Sequence, residues 1–241
     1  MIRPTEESMP RHSTRGEIIA FYPESDGKPM SETDEHRQIM TYLIEALGWW
    51  FRAKKEVYAS GNLMLYYVEG DANLKVSPDV FVVKGVPKRR RRVYKTWDEG
   101  KGIDVVVEVS SRGTKSEDVG WKFELYRDVL GVKEYYIYDP LREYLPTRLK
   151  AWRKRGRDFV ERSVKGGRIE SPELGLVLVD ADGMLRLEDP ATGRVLPSMA
   201  EAEEAREAAQ AAREAAEARQ RELEAENERL RRQLRDRKNG G

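Results

Sequence analysis

The sequence predicts an α/β domain, a mixed sheet flanked by helices, followed by a long and separate C-terminal helix. Three observations carry this reading. Ile103-Asp104-Val105-Val106-Val107-Glu108-Val109 is a β-branched run of the kind found in a buried central strand. Residues 116–130 then show helical spacing and Tyr135-Tyr136-Ile137-Tyr138 reads as a strand again, an order that brings two strands parallel within one sheet. From Ser198 to Lys238 the composition turns to Ala, Glu, Arg and Gln with no Pro or Gly, which marks a helix outside the core.

The composition narrows the function. A chain of 241 residues has room for one substantial core and an appendage. Lysine plus arginine (44) nearly cancels aspartate plus glutamate (43), so only local clusters argue for a polyanionic partner. The absence of cysteine excludes disulfides, thiolate-held zinc and a cysteine nucleophile. With His12 and His36 as the two histidines, any metal must be held mostly by oxygen ligands. No apolar run approaches the ~18 residues of a membrane span, and Met1 to Asp26 lacks the apolar stretch of a signal peptide, so a cytoplasmic protein is expected.

In chain order, residues 1–30 are rich in Pro, Ser, Glu and Gly and read as a flexible arm, and a folded domain is expected over 31–190. Ser31-Glu32-Thr33-Asp34 offers capping groups for a helix with Ile39, Leu43, Ala46 and Trp50 on its apolar stripe, ending near Gly48. Strands follow at Lys55–Ala59, Leu63–Glu69 and Ser77–Val83, separated by turn residues. Lys84 to Gly102 reads as a polar loop ahead of the central strand. The second helix has Thr114 and Glu117 spaced as a capping box, Val119, Phe123, Tyr126 and Leu130 as its stripe, and Gly131 as its stop. Short strands are expected at Arg148–Arg153, Asp158–Ser163, Leu176–Val179 and Met184–Leu187, and a charged helix at 198–238.

Two carboxylates stand in otherwise apolar strands: Asp79 in Ser77-Pro78-Asp79-Val80, and Glu108 between Val107 and Val109. An ionised carboxylate there is costly unless it is paired or holds a metal. Asp79 also reads as a strand-start turn residue, and Glu108 as half of a salt bridge near a strand end. Lys122 borders the apolar stripe of the second helix, where it either reaches Glu108 or forms an exposed pair with Asp118, worth ~0.3–0.5 kcal/mol.

These residues, with Ser110-Ser111 after Val109, Asp118, Lys122 and Tyr126 in the helix, and Gly131-Val132-Lys133-Glu134-Tyr135-Tyr136 leading to Asp139-Pro140, resemble the Uma-type (Uma-two) endonucleases. This is a bacterial branch of the PD-(D/E)XK nuclease superfamily, and the resemblance covers residues 31–190. It implies a restriction-endonuclease-like core, a Mg²⁺- or Mn²⁺-dependent DNA endonuclease activity, and Asp79, Glu108 and Lys122 as catalytic residues. The metal ligands it implies are Asp79, Glu108 and the carbonyl of Val109. Where the superfamily carries a lysine two residues after the second acid this chain has Ser110, so the lysine's role passes to Lys122. The first helix often adds an acidic ligand in the superfamily, and Glu35 or Glu45 are the positions available.

Lys88-Arg89-Arg90-Arg91-Arg92, in the loop between the two acidic strands, reads either as a solvated charge run or as a phosphate contact that adds sequence-independent affinity for DNA. Leu223, Asn227, Leu230 and Leu234 step by four, three and four, the d, a, d, a alternation of a two-stranded coil, so a homodimer or a protein partner through this helix is expected. Two further readings compete with the enzyme: a nucleic-acid-binding or regulatory module that keeps the fold without turnover, and an interaction protein working through its helix.

Overall fold

The computed structural model describes residues 11–12, 18–19, 21–25, 33–111 and 115–239. The chain divides into two compact units, Met1–Leu196 and Pro197–Gly241. In the first, β1 (Arg11–His12) and β2 (Ile18–Ile19) pair with one another. Within the stretch read as an arm, Tyr22 packs its ring on Tyr66, and its hydroxyl accepts the Gly70 amide at 2.6 Å.

Helix α1 (Asp34–Trp50) is capped by Thr33, whose side chain accepts from the His36 amide. Ser31 and Glu32 of the expected capping group lie outside the described residues. Next come β3 (Val57–Ser60), β4 (Leu65–Tyr66), β5 (Lys75–Val76), β6 (Val80–Lys84), β7 (Tyr94–Lys95), a turn of helix α2 (Thr96–Glu99) and β8 (Val105–Val109). Helices α3 (Lys115–Asp118) and α4 (Trp121–Glu124) and a π-helical turn at Leu125–Val129 lead to β9 (Glu134–Tyr138). Strands β10 (Leu149–Arg155), β11 (Asp158–Arg162), β12 (Arg168–Ser171), β13 (Leu176–Ala181) and β14 (Met184–Glu188) complete this unit.

The main sheet has the order β11-β10-β9-β8-β6-β3, with β8 and β9 parallel and the other neighbours antiparallel, which is the mixed sheet the sequence predicts. Alternation sorts its residues between two cores. Val80, Val82, Val105, Val107 and Val109 face α1 and residues of β12–β14, while Phe81, Val83, Val106 and Ile137 face Leu125, Tyr126 and residues of β4, β5 and β7. Glu108 alternates with Val107 and Val109 and therefore belongs to the second face.

The differences from expectation have local causes. The strand read over Ser77–Val83 is interrupted at Pro78, which has no amide for the ladder. The loop read over Lys84–Gly102 contains β7 and α2, the latter ended by Gly100 at φ 65°. Strand β12 escapes notice because its buried positions are Ile169 and Ser171, a weak alternation. The second helix is broken, because Gly120 brings its Cα side against the Ser116 carbonyl, where a Cβ would sit at 2.5 Å. Thr114 of its expected capping box lies outside the described residues.

The second unit contains α5 (Met199–Asn239). Its start is a reciprocal capping box: the Ser198 amide donates to Glu201 at 2.7 Å and the Glu201 amide to Ser198 Oγ at 3.2 Å. Pairs one turn apart, such as Arg213–Glu217 and Arg232–Glu228, lie along it. No helix among the described residues is long and apolar enough to cross a membrane.

Candidate active site

The β6–β8 register pairs Val80 with Val107, which sets Asp79 directly opposite Glu108 at the rim of the sheet. Two backbone amides tie them together. The Asp79 N–H donates to Glu108 Oε2 at 3.2 Å, and the Val109 N–H donates to Asp79 Oδ2 at 2.7 Å. Amide and carbonyl of one strand residue point to the same neighbour, so the Val109 carbonyl is on the Asp79 side. Gly61 lets the turn after β3 cross this point, since a Cβ there would meet the Asp79 carbonyl oxygen at 1.9 Å.

Below Glu108 lie the two short helices. Lys122 Nζ is 3.4 Å from Glu108 Oε1 and 2.9 Å from Asp118 Oδ1. Tyr126, within the π turn, donates its hydroxyl to Glu108 Oε1 at 2.5 Å. The wider π turn carries Tyr126 at the point where its hydroxyl meets Glu108. Glu108 and Asp118 are fully buried and Lys122 is 7% exposed, so the Asp118–Lys122 pair is an interior ion pair and not the surface pair its spacing also allowed.

Burial dominates the electrostatics. It pushes the Glu108 carboxyl well above the usual range, Lys122 opposing and Asp79 and Asp118 reinforcing the shift. For Asp79 burial also acts upward, but His36, Lys122 and the Val109 amide outweigh it and hold its carboxyl low. Burial acts downward on Lys122, yet Glu108, Asp118 and Asp79 keep its ammonium charged above the ordinary lysine value. The two opposed carboxyls thus differ: Asp79 is held ionised and Glu108 is held toward its protonated form.

His36 was not among the residues marked by sequence. Its Nε2 is 3.3 Å from Asp79 Oδ1, and the residue is 3% exposed. The signal was its spacing, three before Ile39 and seven before Leu43, which puts it on the buried stripe of α1. Glu35 and Glu45, the acidic alternatives on that helix, are exposed. Ser110, where a lysine would stand in the superfamily, is buried, and its amide donates to the Tyr138 carbonyl.

The basic run is not brought to these carboxylates. The Gly85 and Lys88 amides donate to Glu56 and Lys55 carbonyls, which fixes the run at the Lys84 end of β6, roughly 16 Å from Asp79 at the rise of a strand. Several of its cations are already engaged. Arg91 is bound to both Glu99 oxygens, at 2.8 and 2.7 Å, with its guanidinium 4.2 Å from the centre of the Tyr58 ring. Arg89 also reaches Glu99, Lys88 Nζ donates to the Phe51 carbonyl, and Arg92 pairs with Glu24. Tyr58 and Lys88 to Arg91 line an open groove of about 460 Å³.

The residues fit a hard divalent cation in kind. Two carboxylates on opposing strand positions, with a backbone carbonyl beside them, match the oxygen donors that Mg²⁺ takes alongside water. Among the described residues no three His, Asp or Glu side chains stand together as a ready-made cage.

No curated protein matches the chain. Among solved structures, one described as a putative nuclease belonging to DUF820 from Anabaena variabilis aligns with 63% of this chain and 81% of its own, at 13% identity and a TM-score of 0.44. The family model Uma2, described as "Putative restriction endonuclease", matches residues 15–177, which is more than half of the chain and includes β6, β8 and the two short helices. The chain belongs to the Uma2 family.

Proposed function

We propose that this protein is a divalent-metal-dependent DNA endonuclease in which Asp79, Glu108 and Lys122 carry the hydrolysis of phosphodiester bonds. The observation that supports it is the placing of two opposed carboxylates and a buried lysine within one hydrogen-bonded cluster. Asp79 and Glu108, with the Val109 carbonyl, would hold Mg²⁺ or Mn²⁺, and His36 steadies the Asp79 carboxylate from the α1 side. When bound, such an ion acidifies water and offsets phosphate charge. Lys122 presents a permanent positive charge that orients the attacking water and the scissile phosphate. Tyr126 holds the Glu108 carboxyl in place through its hydroxyl. The test is incubation of purified protein with single-stranded, duplex and branched DNA, with Mg²⁺, Mn²⁺ or EDTA. Products that appear only with metal support the proposal; binding without products under every condition leaves the regulatory module as the better reading.

The groove of Lys88 to Arg91 supports a role for this loop in holding the substrate backbone at a distance from the reaction. At roughly 16 Å along the sheet it would meet phosphates some four to five base pairs from the cut, given ~3.4 Å per step. Arg91 is excluded from the contact set because its buried guanidinium is held by both Glu99 oxygens, whereas the Arg89 side chain, which also reaches Glu99, is 60% exposed. Replacing Lys88, Arg89 and Arg90 with serine is expected to weaken binding evenly across sequences and to flatten log K against log salt by ~0.7–0.9 per lost contact. An unchanged slope returns the loop to a solvated surface.

We also propose that α5 pairs with a second copy of itself. Leu223 and Leu230 are each about half exposed in the single chain, at 51% and 49%, and Asn227 falls at an a position of their register. Light scattering should find full-length protein dimeric and protein ending at Pro197 monomeric. A truncated dimer would place the contact elsewhere.

A further inference from the structure

We infer that Asp118 is a positioning residue for Lys122, holding the ammonium at Glu108 and doing for a helix-borne lysine what the strand backbone does for one beside the second acid. The inference rests on the reading of Lys122 as catalytic. Four observations support it. The ammonium is nearer to Asp118 (2.9 Å) than to Glu108 (3.4 Å), so the residue that sets its place is Asp118. Asp118 is fully buried, and a buried carboxylate is expensive unless a cation repays it. The pair is also not the ordinary product of helical spacing, because α3 ends at Asp118 and α4 begins at Trp121. The backbone is turned between them at Gly120, whose amide donates to Glu117 and which admits no Cβ.

Asp118 is itself anchored from the sheet. Its backbone carbonyl accepts the Tyr135 hydroxyl at 2.8 Å, and Tyr135 lies in β9, next to the strand that carries Glu108. One chain of contacts therefore runs from β9 through Asp118 to Lys122 and back to Glu108 on β8. A lysine on a strand two residues after the acid has its Cα fixed by the ladder. Lys122 reaches the same carboxyl on a long, rotatable stem, and Asp118 removes that freedom.

The test uses the full-length chain and two measurements. In ¹⁵N-edited NMR the Lys122 ammonium, identified by its disappearance in Lys122→Met, should give a slowly exchanging resonance that Asp118→Asn abolishes. In kinetics Asp118→Asn should lower kcat by about 10- to 100-fold, the range for loss of a group that orients a catalytic one, with the Kd for DNA unchanged. Asp118→Glu, which restores the charge, should recover part of both signals. The inference is overturned if folded Asp118→Asn keeps the wild-type resonance, or if the resonance is lost while kcat stays at the wild-type value. Should wild-type protein cleave no DNA, the proposed function fails, while the NMR measurement still decides whether Asp118 fixes Lys122.

Discussion

Glu108→Gln is expected to abolish metal-dependent cleavage and to raise the melting temperature of the metal-free protein. Both effects come from one group. The carboxyl that would hold the cation is fully buried, and burial and the neighbouring carboxyls raise its pKa well above 4.5. The folded state then keeps a proton that the unfolded chain releases once pH exceeds about 4.5. A group with a raised folded pKa contributes stability below its unfolded pKa and loses it as pH climbs toward the folded one, by up to ~1.4 kcal/mol per pH unit. Glutamine has the same shape and no proton to lose. Asp79 has the opposite sign: its depressed pKa gives stability that is present above 3.8 and lost on acidification, so it adds no slope near neutrality. Melts in EDTA between pH 5 and 8 should show wild type falling as pH rises and the variant flatter and higher. A variant that melts below wild type with the same slope would refute the assignment of the raised pKa to Glu108.

How much of this was legible in the sequence depends on how local each cause is. The central strand was readable because four valines surround Glu108, and α5 because a helix of 41 residues carries one composition. A shared role for Asp79 and Glu108 was implied by the resemblance, but their opposition is a property of β6 pairing with β8 and appears only in the fold. His36 lay in plain view on the α1 stripe, yet periodicity cannot separate a buried histidine that packs from one that touches a carboxylate. The break at Gly120 was missed because the stripe of Val119, Phe123 and Tyr126 continues across it; the steric cause is the Ser116 carbonyl, one turn back. The basic run was placed near the site by its position between two acidic strands. Strand direction decides otherwise, since the chain leaves β6 at the end away from Asp79. Its neutralising partner Glu99 is eight residues past Arg91, beyond any helical or strand spacing.

Lys122→Met, which keeps the stem and removes the charge, is expected to abolish cleavage and to destabilise the protein by about 3–5 kcal/mol, the cost of breaking a buried ion pair from one side. That corresponds to a fall in Tm of roughly 6–20 °C for a chain of this size. The sign is opposite to that of Glu108→Gln because of what each change leaves behind. Without Glu108 the ammonium still has Asp118 at 2.9 Å. Without the ammonium, the Asp118 carboxyl is left fully buried beside Glu108, and of the two Glu108 is the one already driven toward protonation. The charge that loses its ammonium partner at 2.9 Å is therefore that of Asp118. Adding Asp118→Asn to Lys122→Met should accordingly recover most of the lost stability and none of the activity, a coupling that a double-mutant cycle measures directly. Equal melting of Lys122→Met and wild type, or a double variant no more stable than Lys122→Met alone, would show that the ammonium does not neutralise Asp118 in the folded protein.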